Sequence, residues 1–103
     1  METIKAYEFK DLAKDIQKEV FEKEINDEVQ FCLEALDRQV AKDEINEVDF
    51  YKSLGCSKMY AETTAWFVPS CYYEKHKKEV ERKAKENLKS YLFTKNGRYI
   101  QSK

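Results

Sequence analysis

Two glycines, Gly55 and Gly97, and one proline, Pro69, are the only residues of either type in 103 positions. Glycine supplies the positive-φ corners of tight turns, and proline interrupts helices and sheet ladders. A chain this poor in both commits most of its length to regular elements joined by short connections. Its length suits one domain with its own core, so residues 1–103 are expected to form a single domain. The 14% aromatic content supplies bulky core material, which sets the chain apart from disordered sequences despite 38% charged residues.

The last third carries two opposed rows. Tyr72, His76, Val80, Ala84 and Leu88 recur every four residues, the spacing of one helical face. Lys75, Lys78, Arg82, Lys85 and Lys89 alternate at spacings of three and four and point roughly the other way. A helix over about 71–90, packed by its apolar row, holds these five cations toward solvent or a partner. Glu74 with Lys78, Glu79 with Lys83 and Glu81 with Lys85 add Glu-to-Lys support at i,i+4.

Residues 3–9 read as a strand, with Tyr7 and Phe9 alternating against Ile4 and Ala6. A helix is expected from about Asp11, with Leu12, Ala13, Ile16 and Val20 on one face. Asn26-Asp27 marks a break and a new cap before the row Val29, Cys32, Leu33, Leu36 and Val40, with one long bent helix as the alternative. That second row suits a core or a homodimer seam equally. Phe50–Leu54 is a helical turn stopped by Gly55. Residues 58–68, rich in aromatic and β-branched side chains, read as a central strand, and Pro69-Ser70 turns the chain into the last helix. Tyr91–Thr94 and Arg98–Ile100 flank Lys95-Asn96-Gly97, a hairpin signal that suggests a type I′ turn. The fold class is α+β: a small antiparallel sheet (N-terminal strand, central strand, C-terminal hairpin) packed against three to four helices.

Catalytic chemistry is hard to assemble from these residues. His76 is the single histidine and falls in the apolar row. Cys71 lies five positions before it, which is not a helical-neighbour spacing for a nucleophile–base pair. Neither glycine belongs to a phosphate-binding loop. Cys32, Cys56 and Cys71 lack the paired short spacings of a structural zinc site, and their odd number fits free thiols better than a disulfide framework. The chain is therefore expected to be no enzyme and to need no metal or cofactor. No stretch has the ~20 apolar residues of a membrane span, and METIKAYEFK lacks the apolar run of a signal peptide, so a cytoplasmic location is expected.

The net charge of −1 conceals a division. Residues 1–71 carry 9 Lys/Arg and 16 Asp/Glu, or −7; residues 72–103 carry 10 and 4, or +6. Such clustering can steer a partner, and it can also pair within one domain.

Both ends carry recognisable motifs. Lys5-x-Tyr7-x-Phe9-x-Asp11-Leu12 resembles the Lys-x-Tyr-x-Phe-x-Glu-Leu opening of a broad set of small bacteriophage proteins. Tyr91-x-Phe93-Thr94-x-Asn96-Gly97 resembles the Tyr-x-Phe-Thr-x-Asp-Gly close of the same set. The set's glycine-rich, tryptophan-containing hairpin is represented here by Thr63 to Cys71, with Trp66 and no glycine. The resemblance implies a phage or prophage origin and transfers no catalytic residue.

Two binding functions follow as expectations. In the first, the chain covers a surface of a host protein or nucleoprotein complex, most concretely as an anti-CRISPR or other anti-defence inhibitor, with Trp66 among its aromatic anchors. In the second, Lys75, Lys78, Arg82, Lys85 and Lys89 contact nucleic-acid phosphates.

Overall fold

The computed structural model describes residues 5–103. The fold is α+β, with four α-helices and a three-stranded antiparallel sheet among the described residues. They form two compact units, one made of the chain up to Ile25 together with Glu81–Lys103, the other of Asn26–Val80.

The first unit holds the sheet. Strands β1 (Tyr7–Glu8), β2 (Tyr91–Phe93) and β3 (Tyr99–Ser102) lie in that order. Tyr7 faces Phe93, Glu8 faces Leu92, and β3 continues the sheet with a register shift between Leu92 and Phe93. The expected strand over 3–9 is shorter: Thr3 and Ile4 lie outside the described residues, and Phe9–Asp11 form a 3-10 turn closed by Leu12 N–H to the Phe9 carbonyl at 3.2 Å. Helix α1 (Lys14–Ala41) consequently begins after Asp11. Gln17 Nε2 ties its first turn to the preceding bend by donating to the Leu12 carbonyl at 2.8 Å. Leu12, Leu88 and Phe93 form the buried centre, with Tyr7, Phe9, Ile16, Val20, Phe21 and Tyr91 packed around them.

The hairpin forms, with a different turn. Gly97 alone among Lys95, Asn96 and Gly97 has positive φ, at +87°, whereas a type I′ turn needs it at both central residues. The Thr94 carbonyl accepts from Gly97 N–H at 2.9 Å, and Thr94 Oγ1 accepts from Arg98 N–H at 3.1 Å. These bonds favour a three-residue loop with the glycine at its left-handed corner.

The second unit is helical. At Asn26-Asp27 there is no break: α1 runs through, as one 28-residue helix. Neither residue breaks a helix as Gly or Pro would, and Ile25 and Val29 are buried one turn apart on either side. Helix α2 (Glu47–Leu54) is capped by Asn46, whose Oδ1 accepts from Asp49 N–H at 2.8 Å, and ends at Gly55 with φ +82°.

The central strand expected over 58–68 is absent. Helix α3 (Lys58–Thr63) and a 3-10 turn (Ala65–Phe67) replace it, and helix α4 (Val68–Lys89) follows directly. Local hydrogen bonding explains the difference. Ser57 Oγ caps Tyr60 N–H at 3.2 Å, and Thr64 Oγ1 bonds back to the Tyr60 carbonyl at 2.6 Å. Hydroxyls placed this way satisfy a helix terminus without any partner strand. Pro69 is accommodated near the start of α4, where its missing N–H costs nothing.

Helix α4 keeps its apolar row. Val80, Ala84 and Leu88 are buried, and Tyr72 and His76 are half-buried. Its backbone is interrupted at His76, with φ −111° and ψ 23°.

Candidate functional site

Segment 58–67 gathers four of the exposed apolar side chains of the second unit. Trp66 is 75% and Met59 73% exposed, and Tyr60 and Phe67 are each about two-fifths exposed. Trp66 meets the Phe67 ring nearly edge-on, with centroids 4.7 Å apart. Thr64, with φ −130° and ψ 50°, ends α3 and reorients the chain into the turn that carries Trp66. A lone exposed leucine needs no explanation, but three aromatics and a methionine on one short helix–turn form an apolar ledge of the kind that partners cover.

A cavity of about 810 Å³ borders this ledge. Tyr60 and Phe67 line it together with Tyr51, Cys56, Cys71 and Lys75. Gly55 permits the close approach of backbone there: a Cβ on it would lie 3.1 Å from the Cys71 carbonyl oxygen and 3.2 Å from Lys75 Cβ. Burial, with the neighbouring Cys71 thiol, pushes the Cys56 thiol above its ordinary value. Tyr72, in contrast, turns inward: its ring stacks on His76 at 4.3 Å, and burial followed by the Cys32 thiol raises its hydroxyl.

The five cations of the final helix are all exposed but do not share one environment. Lys75 Nζ donates to the Lys52 carbonyl and so belongs to the end of α2. Lys78 projects into solvent, and Arg82 pairs with Glu86 at 2.8 Å. Lys85 and Lys89, in the first unit, meet Lys10 and Lys103 around a cavity of about 570 Å³ that Phe9 and Glu8 also line. Glu8 takes Lys103 at 2.6 Å and Lys10 at 3.4 Å, and these two ammonium groups hold its carboxyl below the usual range. Lys85 Nζ lies 6.0 Å from the Phe21 ring centre, at the outer limit of a cation–π contact.

Lys10, Lys103, Met59 and Phe67 were not expected to join either site. The aromatic and β-branched composition of 58–68, read as a strand, gave no reason to place Met59 and Phe67 outside a sheet. Lys10 and Lys103 are far apart in sequence, and no short spacing announces their meeting.

Among the described residues no group of three or more His, Cys, Asp or Glu side chains is placed to hold a metal ion, and no helix is long and apolar enough to cross a membrane. No family model matches the chain, and no curated protein or solved structure matches it significantly.

Proposed function

We propose that this chain is a non-enzymatic binding protein that acts by covering a functional surface of another protein, most concretely as a phage-encoded anti-CRISPR or anti-defence inhibitor in the host cytoplasm. The observation that carries the reading is the exposure of Trp66 on the turn that follows the capped helix α3, with Met59, Tyr60 and Phe67 also exposed. Tryptophan and tyrosine supply large contact area at low entropic cost and dominate the energetics of many protein interfaces. The basic row and the acidic first two-thirds of the chain then set encounter rate and orientation.

The test is capture of purified host defence effectors by the tagged chain, in nuclease-treated extract and at moderate salt. A stoichiometric effector retained by the parent and lost from folded Trp66→Ala supports the reading, as does restored plating of a targeted phage when the chain is expressed. If effectors pass through unbound and plating is unchanged, the anti-defence reading fails.

A second reading rests on the lysine cluster of the first unit. Lys10, Lys85, Lys89 and Lys103 around the half-buried Phe9 suit a nucleic-acid backbone with a base on the ring. Salt-sensitive binding to single-stranded oligonucleotides, abolished by Lys85→Glu with Lys89→Glu, would favour it over protein capture.

A further inference from the structure

Two of the three cysteines converge although they lie in different elements. Cys56 follows the left-handed Gly55 that ends α2, and Cys71 stands in the first turns of α4. Both are half-buried and free, both line the cavity of about 810 Å³, and the Cys71 thiol is close enough to help hold the proton on Cys56. Their approach has a backbone cause: the absent side chain of Gly55 leaves room for the Cys71 peptide. Cys32 stands apart on α1, with its thiol 3.7 Å from the Glu28 carboxylate.

We infer that Cys56 and Cys71 are a redox-active dithiol that a peroxide converts into an intramolecular disulfide, tying together the two ends of segment 57–70. The cavity gives a small oxidant access to both sulfurs. Burial raises the Cys56 thiol, which favours Cys71 as the attacking group. Its thiolate forms an S–O bond with one peroxide oxygen as the O–O bond breaks, and the departing hydroxide takes up the Cys71 proton as water. Cys56 sulfur then attacks the sulfenic sulfur; the S–S bond forms, the S–O bond breaks, and the second hydroxide leaves with the Cys56 proton. Two thiols and one hydrogen peroxide give one disulfide and two waters, with two electrons passing from sulfur to oxygen.

The enclosed segment is α3 and the turn bearing Met59, Tyr60, Trp66 and Phe67. Closing the bridge removes open conformations from that segment, whatever it binds. This inference is independent of the proposed function.

The experiment treats the reduced protein with hydrogen peroxide, blocks remaining thiols with maleimide, and reads intact mass and linked peptides. The expected product is a monomer lighter by two hydrogens before blocking, with one maleimide on Cys32 and a Cys56–Cys71 linked peptide. Cys32→Ser should form the same bridge, with none in Cys71→Ser. Amide exchange across 57–70 should slow in the oxidised form and recover with reductant. A bridge that includes Cys32, an intermolecular dimer, or stepwise oxygen addition without a bridge overturns the dithiol. Unchanged exchange in the bridged protein overturns the restraint of the segment.

Discussion

The His76 ring meets the Ser53 carbonyl at 2.8 Å through Nε2, one residue after Lys75 binds the Lys52 carbonyl. A carbonyl only accepts, so Nε2 carries the proton. Consecutive side chains of α4 thereby satisfy consecutive carbonyls at the end of α2, which have no partner within their own helix. His76 acts as a cap, which accounts for a histidine in an otherwise apolar row. His76→Ala is expected to lose about 1–2 kcal/mol in urea denaturation, with part recovered in His76→Gln.

Lys75 and Lys78 look equivalent on a helical wheel, yet only Lys75 has a backbone acceptor. Lys75→Ala should lower the denaturation midpoint, while Lys78→Ala should stay within about 0.5 kcal/mol of the parent. Equal effects would show that the contact with α2 contributes nothing to stability.

Trp66→Ala and Met59→Ala should leave stability within about 0.5 kcal/mol of the parent, because both side chains are largely exposed. For a partner that uses the ledge, calorimetry should show a loss of about 2 kcal/mol or more for Trp66→Ala. Val80→Asp or Leu88→Asp should unfold the chain, since each places an unpaired charge at a buried position.

The parts legible in the sequence are those set by local period or local chemistry. Four-residue spacing identified Val80, Ala84 and Leu88 as the inner side of α4, and Asn96-Gly97 located the hairpin. The same criteria misread 58–68, where β-branched and aromatic composition suggested a strand and the capping hydroxyls of Ser57 and Thr64 went unread. In the fold, the two hydroxyls provide helical ends that composition alone does not reveal. Asn26-Asp27 misled in the opposite direction, since a cap residue ends nothing when burial of Ile25 and Val29 holds both sides helical. The lysine cluster was half visible: Lys85 and Lys89 follow from helical spacing, but Lys10 and Lys103 join them only through long-range pairing of the terminal strands.

Gly97 is the more constrained of the two glycines. Its φ is +87°, and a Cβ would lie 2.8 Å from the Cγ2 methyls of both Ile16 and Val20. Those methyls belong to β-branched side chains with little rotamer freedom in a helix. Gly97→Ala should therefore cost about 2–4 kcal/mol by thermal or urea melting. Gly55→Ala, whose nearest neighbours are at 3.1–3.3 Å, should cost less.

Glu8 titrates below the ordinary carboxylate range because Lys103, then Lys10, favours its charged form. A depressed folded-state value means that its contribution to stability is present above the unfolded-state value and is lost as pH falls through the folded one. An NMR titration should find the Glu8 midpoint below that of a free glutamate, and Lys103→Met should move it upward. High salt should do the same by screening an exposed pair.

The pairing of Tyr7 with Phe93 also dictates an order of events during synthesis. A ribosome delivers β1 long before β2 exists, so the first strand emerges with its hydrogen-bonding groups unmatched. Asn26–Val80, in contrast, is one uninterrupted stretch and is fully available before β2 leaves the exit tunnel. The helical unit can thus begin to assemble before β2 is available, and the sheet closes only after β2 and β3 have emerged.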